Sequence, residues 1–304
     1  MGQAPAPLPL PLAPVPSPPP IAGVRRRRVL ARGVDFQLTE AGDADGIPVL
    51  LLHGWPGHHY TWRHLLSDPP DGLRLIAPDL PGYGWSGPPP HRWLKQETVS
   101  DLLALLDAIG VQRVLLVGHD WGGYIGHLLA LRAPERVERY LALNILHPWN
   151  SRRALAPHIW RFLAYQPLIA VAGYPLMRHS GLVAAVIRGS LVDRGAISAR
   201  EIAWFSERFR APVCARAATD TYRSFWREEV WAQLRGPRPP RSVVPTLALF
   251  GVQDRAIHHS LACARTADAD QYSCELVYNC GHFIAEERPA LVRRRLLELA
   301  ENFR

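Results

Sequence analysis

Gly118-His119-Asp120-Trp121-Gly122-Gly123 is the stretch that decides how this chain folds. It follows a short apolar run, residues 113–117, and opens a segment of helical periodicity that lasts to about Ala133, where Pro134 stops it. A strand that turns into a helix through G-x-D-x-G has the spacing of a nucleophile elbow, with aspartate where serine usually stands. The turn is tight and brings strand and helix close together, so the flanking positions need small residues. It lifts the central side chain clear of the sheet, and the helix N-terminus favours a negative charge there. Aspartate is also a common helix N-cap. The flanking glycines and the preceding strand set Asp120 apart from that simpler role.

The same rhythm extends outward. Residues 29–30 and 34–38 flank Gly33 and predict a hairpin. Residues 47–52 form a buried-strand run ending at His53-Gly54, and residues 73–77 form another ending at Asp79. Residues 98–109 carry apolar side chains at helical spacing up to Gly110. Strands follow at 140–145, 246–250 and 275–278, and a last helix at 286–302. Alternating strands and helices predict an α/β fold, a mostly parallel sheet flanked by helices.

The alternation stops at His147. From there to residue 235 the pattern is helical and rich in aromatics, which predicts an inserted helical cap, with Gly236-Pro237-Arg238-Pro239-Pro240 as the linker back. The expected organisation is a disordered proline-rich tail at 1–23, the first part of the core at 24–146, the cap at 147–235 and the second part of the core at 236–304. No apolar run has the ~18 residues of a membrane-spanning helix, and no membrane partner is expected.

Hydrophobic residues make up 48% and charged residues 20% of the 304 positions, ordinary for a globular protein. The net charge of +8 is carried by arginine, since Lys95 is the only lysine. The arginines are scattered apart from Arg25–Arg28 and Arg293–Arg295, so solvated faces are expected rather than a nucleic-acid surface. Cys214, Cys263, Cys274 and Cys280 fit neither a C-x-x-C pair nor a zinc pattern. Free thiols in the cytoplasm are the simplest expectation, with a Cys263–Cys274 bridge left open.

Three further motifs sit just past strands. His53-Gly54-Trp55-Pro56-Gly57 occupies the loop that supplies one backbone N–H of an oxyanion hole in elbow enzymes, and the residue after the nucleophile supplies the other. Those donors would be Trp55 and Trp121, and Trp55–Pro56 is a candidate cis bond. Gly251-Val252-Gln253-Asp254 and Gly281-His282-Phe283 complete the order nucleophile, acid, histidine. A lone Asp or Gly-His means little; three strand ends agreeing in order is specific.

Together with the loop Asp79-Leu80-Pro81-Gly82-Tyr83-Gly84-Trp85-Ser86 and Cys280-Gly281-His282-Phe283, these motifs resemble the epoxide hydrolase and haloalkane dehalogenase branch of the α/β-hydrolase superfamily over residues 25–304. The resemblance implies an Asp120–His282–Asp254 triad that needs no cofactor and no metal. It also implies two cap tyrosines that donate hydrogen bonds to an epoxide oxygen, for which Tyr165-Gln166 and Tyr222-Arg223 fit. The expected activity is hydrolysis of a small apolar epoxide to a vicinal diol. The alternatives are a haloalkane or haloacid dehalogenase and a catalytically silent small-molecule binder. A dehalogenase commonly has Asn after the first His-Gly, where this chain has Trp55, although a cap tryptophan such as Trp160 could substitute. His58, His59, His64, His127 and His147 are expected at the surface or in helix packing, and a homodimer is an open expectation.

Overall fold

The computed structural model describes residues 17–301 and 303, apart from 236–238 and 264–267. Its eight strands are β1 (Arg25–Ala31), β2 (Val34–Gly42), β3 (Ile47–Leu52), β4 (Leu73–Pro78), β5 (Val114–His119), β6 (Val137–Leu143), β7 (Thr246–Gly251) and β8 (Tyr272–Val277). They form one sheet in the order β1-β2-β4-β3-β5-β6-β7-β8. β1 and β2 pair antiparallel, as do β2 and β4, and the remaining pairs are parallel. Every residue of β5 is buried, as a central strand covered on both faces requires. The chain leaves β3 for β4 on one side and returns to β5 on the other. That change of direction opens a crevice at the C-terminal ends of β3 and β5, where α/β sheets bind ligands.

Helices α1 (Lys95–Ala108) and α2 (Asp120–Arg132) flank the first half. Between β6 and β7 the described residues include no strand, and the main helices are α3 (Ile159–Leu163), α4 (Gln166–His179), α5 (Leu182–Ser190), α6 (Ala199–Arg208) and α7 (Pro212–Ser224). A π-turn at Phe225–Glu229 and a short helix at Val230–Arg235 follow. This insertion is tied to the core by polar bonds. Arg63 pairs with Glu201 at 2.7 Å, and the buried Lys95 reaches Glu229 at 3.2 Å and the Thr221 carbonyl. Burial lowers the Lys95 amine to about 8, against the pull of Glu229.

Several expectations change. The last helix is split into Ile284–Glu287 and α8 (Pro289–Ala300), because Pro289 has no N–H to continue the first turn and instead starts the second. Most of the expected tail lies outside the described residues, but 17–23 are placed. Pro19 and Ile21 are buried, and Arg26 donates to the Pro19 carbonyl at 2.6 Å. Cys263 and Cys274 form a disulfide with Cα atoms 5.1 Å apart, because the short helix Ser260–Cys263 lies beside β8, while Cys214 and Cys280 are free and buried. The expectation of four free thiols therefore fails, and a cytoplasmic location loses that support. The Arg25–Arg28 run lies on the exposed edge strand, with Arg27 paired to Glu40 at 2.7 Å and Arg28 to Asp35. Among the described residues no single helix is long and apolar enough to cross a membrane.

Candidate active site

Asp120 begins α2 with φ of +52°, a left-handed conformation that side chains rarely adopt. The strain is held by close packing. A Cβ on Gly122 would lie 2.3 Å from the His53 carbonyl, and one on Gly54 would lie 2.4 Å from Asp120 Oδ1. The end of β3 and the start of α2 thus meet backbone to backbone. The Trp55 N–H donates to Asp120 Oδ1 at 2.9 Å, after the cis Trp55–Pro56 bond begins the loop. His53 anchors that loop by accepting the Leu80 N–H on Nε2 at 2.9 Å.

The ends of β6, β7 and β8 supply the rest. His282 Nε2 faces Asp120 Oδ2 at 3.4 Å, and its Nδ1 lies 2.7 Å from Asp254 Oδ2. Asp254 is buried, and its other oxygen accepts the Ala256 and Ile257 N–H groups at 2.7 and 3.1 Å. Burial alone would raise its pKa, but His282 and the hydrogen bonds hold it below the ordinary value. Burial alone would lower His282, but the Asp254 charge and the bonds to Asp120 and Asp254 raise it to about 10. The His282 N–H donates to the Ser190 carbonyl at 3.1 Å, so the insertion also fixes this loop.

Two residues that the motifs did not single out complete the frame. Asn144, at the end of β6 with φ of +43°, donates to Asp254 Oδ2 at 2.8 Å and to the Gly281 carbonyl at 3.1 Å. Like Asp120 it stands one residue past a buried strand, but no motif of neighbouring residues marks it. His119 donates from Nε2 to the His282 carbonyl at 2.8 Å, and burial lowers its pKa to about 4.

Tyr165 immediately precedes α4 and Tyr222 lies on α7, yet their rings meet edge to face at 6.2 Å. Tyr222 also stands edge-on to Trp55 and Trp121, at 5.6 and 5.2 Å. Burial raises both phenols above their ordinary pKa, and the Asp120 charge is among the further causes. Both therefore stay protonated and able to donate. A largely apolar cavity of about 1100 Å³ reaches Asp120, Trp121 and Tyr165. Trp160 does not line it and is 61% exposed, so it is not placed to serve as a second halide donor there.

The histidine expectation changes in part: His64 is exposed and His127 packs on α2, both as expected. His58, His59, His127 and His147 are buried, and His58 and His59 lie with Asp79 close enough to share a metal ion. The Asp79 oxygens are already taken. Oδ1 accepts from the His59 backbone and ring at 2.7 and 2.9 Å, and Oδ2 from the Trp85 N–H at 2.8 Å.

Residues 47–289 match the family model described as alpha/beta hydrolase fold. The chain belongs to the alpha/beta hydrolase family. This hydrolase is 28% identical to the AB hydrolase superfamily protein YfhM of Bacillus subtilis, over 92% of this chain and 99% of that one. It is 29% identical to epoxide hydrolase A of Mycobacterium tuberculosis, over 90% and 96% of the two chains. Among solved structures, a Vigna radiata epoxide hydrolase mutant superposes with a TM-score of 0.78 at 21% identity, over 93% of this chain and all (100%) of that one. At that identity the likeness concerns the fold alone.

Proposed function

We propose that this hydrolase opens an epoxide and releases a vicinal diol, using the helical insertion as a cap. One observation carries the reading. Two protonated phenols from separate helices of the insertion, Tyr165 and Tyr222, come together within the electrostatic reach of Asp120. Asp120 attacks an epoxide carbon and the C–O bond breaks. The departing oxygen receives a proton from the tyrosine pair. The product of this step is an ester on Asp120, which carries no charge. Loss of that charge removes one of the causes that raise His282, so the imidazolium gives up its proton, which returns to the tyrosinate, and the neutral ring can then act as a base. It takes a proton from water, which attacks the ester carbonyl. The Trp55 and Trp121 N–H groups hold the oxyanion, and Asp254 stabilises the imidazolium.

The test is a single turnover in ¹⁸O-labelled water with wild type and the two Tyr→Phe variants. The first-turnover diol should carry an unlabelled oxygen from Asp120, with the label entering the enzyme. Tyr165→Phe and Tyr222→Phe should each slow ester formation by ~10²-fold, as loss of one oxyanion donor does elsewhere. Normal epoxide turnover by both variants defeats the reading.

A second reading has one observation in its favour. The indole N–H of Trp55 is buried and has no hydrogen-bond partner among the described residues, as a donor to a departing halide would be. Halide release from haloalkanes by an enzyme that ignores epoxides would select it.

A further inference from the structure

The charge of this chain is unevenly placed. No aspartate or glutamate occurs between Glu138 and Asp193, whereas Arg152, Arg153, Arg161, Arg178 and Arg188 all fall in that interval. Among the described residues none of these five arginines is ion-paired with a carboxylate; Arg161, for example, donates to the backbone carbonyls of Asp254 and Arg255 at 3.2 and 3.0 Å. The same interval contains α3, α4 and α5, and it exposes apolar side chains that a water-facing helix would hide. On α3, Trp160 and Leu163 are three residues apart and both exposed. On α4, Leu168, Val171 and Pro175 recur at helical spacing on the outer face, with Val171 79% exposed. The cavity that reaches Asp120 is lined on this side by Ser151, Arg152 and Ile159, which are themselves exposed.

We infer that the face formed by α3 and α4 docks on an anionic phospholipid surface, with its apolar stripe in the interface and its arginines among the headgroups. An exposed tryptophan and aliphatic stripe beside unpaired arginines is the chemistry of an in-plane amphipathic helix. The complete absence of carboxylates over this interval removes the repulsion that would oppose an acidic surface. The occupant is therefore a bilayer and not an acidic peptide, which would not use the apolar stripe. Nor is it a second copy of this chain, whose matching face would bring the same arginines together. Docking also presents the cavity mouth to the bilayer, where an apolar substrate concentrates. That consequence rests on the proposed function, whereas the docking does not.

The experiment is co-sedimentation of the full chain with vesicles, either phosphatidylcholine alone or an equimolar mixture with phosphatidylglycerol. Binding should be strong only to the mixed vesicles and should fall as salt is raised. Arg153→Gln should weaken it about fivefold. Trp160→Ser with Val171→Ser should abolish it while hydrolysis of a water-soluble substrate continues. Should that double variant fail to fold, Val171→Ser alone and the salt titration of wild type serve instead. Equal binding to both vesicle types, no binding, or unchanged binding by the variants overturns the inference. So does a dimer in sedimentation equilibrium that these substitutions dissociate while vesicles capture nothing.

Discussion

His282 concentrates the chemistry of the site, because two carboxylates face its two ring nitrogens. Their combined charge overcomes burial and raises it to about 10. The unfolded chain releases that proton near pH 6.5. Folding therefore tightens proton binding, so this contribution to stability is complete below about pH 6.5 and is lost as pH rises through about 10. The thermal stability advantage of wild type over His282→Gln should shrink steadily from pH 7 to pH 10 in calorimetry. A constant difference would mean that the imidazole does not hold a proton between the carboxylates. The same variant should still form the Asp120 ester but hydrolyse it slowly, and intact-protein mass spectrometry should show a substrate adduct. Turnover at the wild-type rate would remove His282 from the mechanism.

The elements owe their positions to a few close approaches. Gly122 lets α2 lie against the end of β3, where a methyl group would collide with the carbonyls of both Leu52 and His53. Backbone cannot swing aside as a flexible side chain can. Gly122→Ala should therefore destabilise the fold by about 3 kcal/mol or more, at the upper end of overpacking effects. Urea denaturation measures this, and a loss under about 1 kcal/mol would show that strand and helix can separate. This junction was legible in the sequence because glycine spacing and a strand boundary are local signals. The ends of β7 and β8 were legible for the same reason. Asn144 was not, since its partners Asp254 and Gly281 lie more than a hundred positions away and no local pattern marks it. The apolar periodicity on either side of Pro289 masks the break there, because a proline can start a helix as readily as it stops one.

At the scale of the molecule, sequence pattern identified the α/β fold and the helical insertion, because buried runs and aromatic helices differ over tens of residues. It did not show which aromatics face the cavity. Tyr165 and Trp160 sit in similar helical patterns, yet Tyr165 lines the cavity and Trp160 is exposed. That difference depends on how the helices pack, and the same holds for the Cys263–Cys274 bridge. Lys95 is the plainest case: the single lysine of a basic chain is enclosed by α7, the π-turn and the rings of Trp121 and Phe225, at 4.5 and 5.2 Å. An activated ester added to the native protein at neutral pH should therefore leave Lys95 untouched until the protein is unfolded, as peptide mapping would reveal. Acylation of Lys95 in the native state would mean that the insertion opens readily. If the expected outcome holds, amine coupling to a resin or sensor surface leaves the junction of insertion and core around Lys95 chemically intact, and the immobilised enzyme keeps its site unmodified.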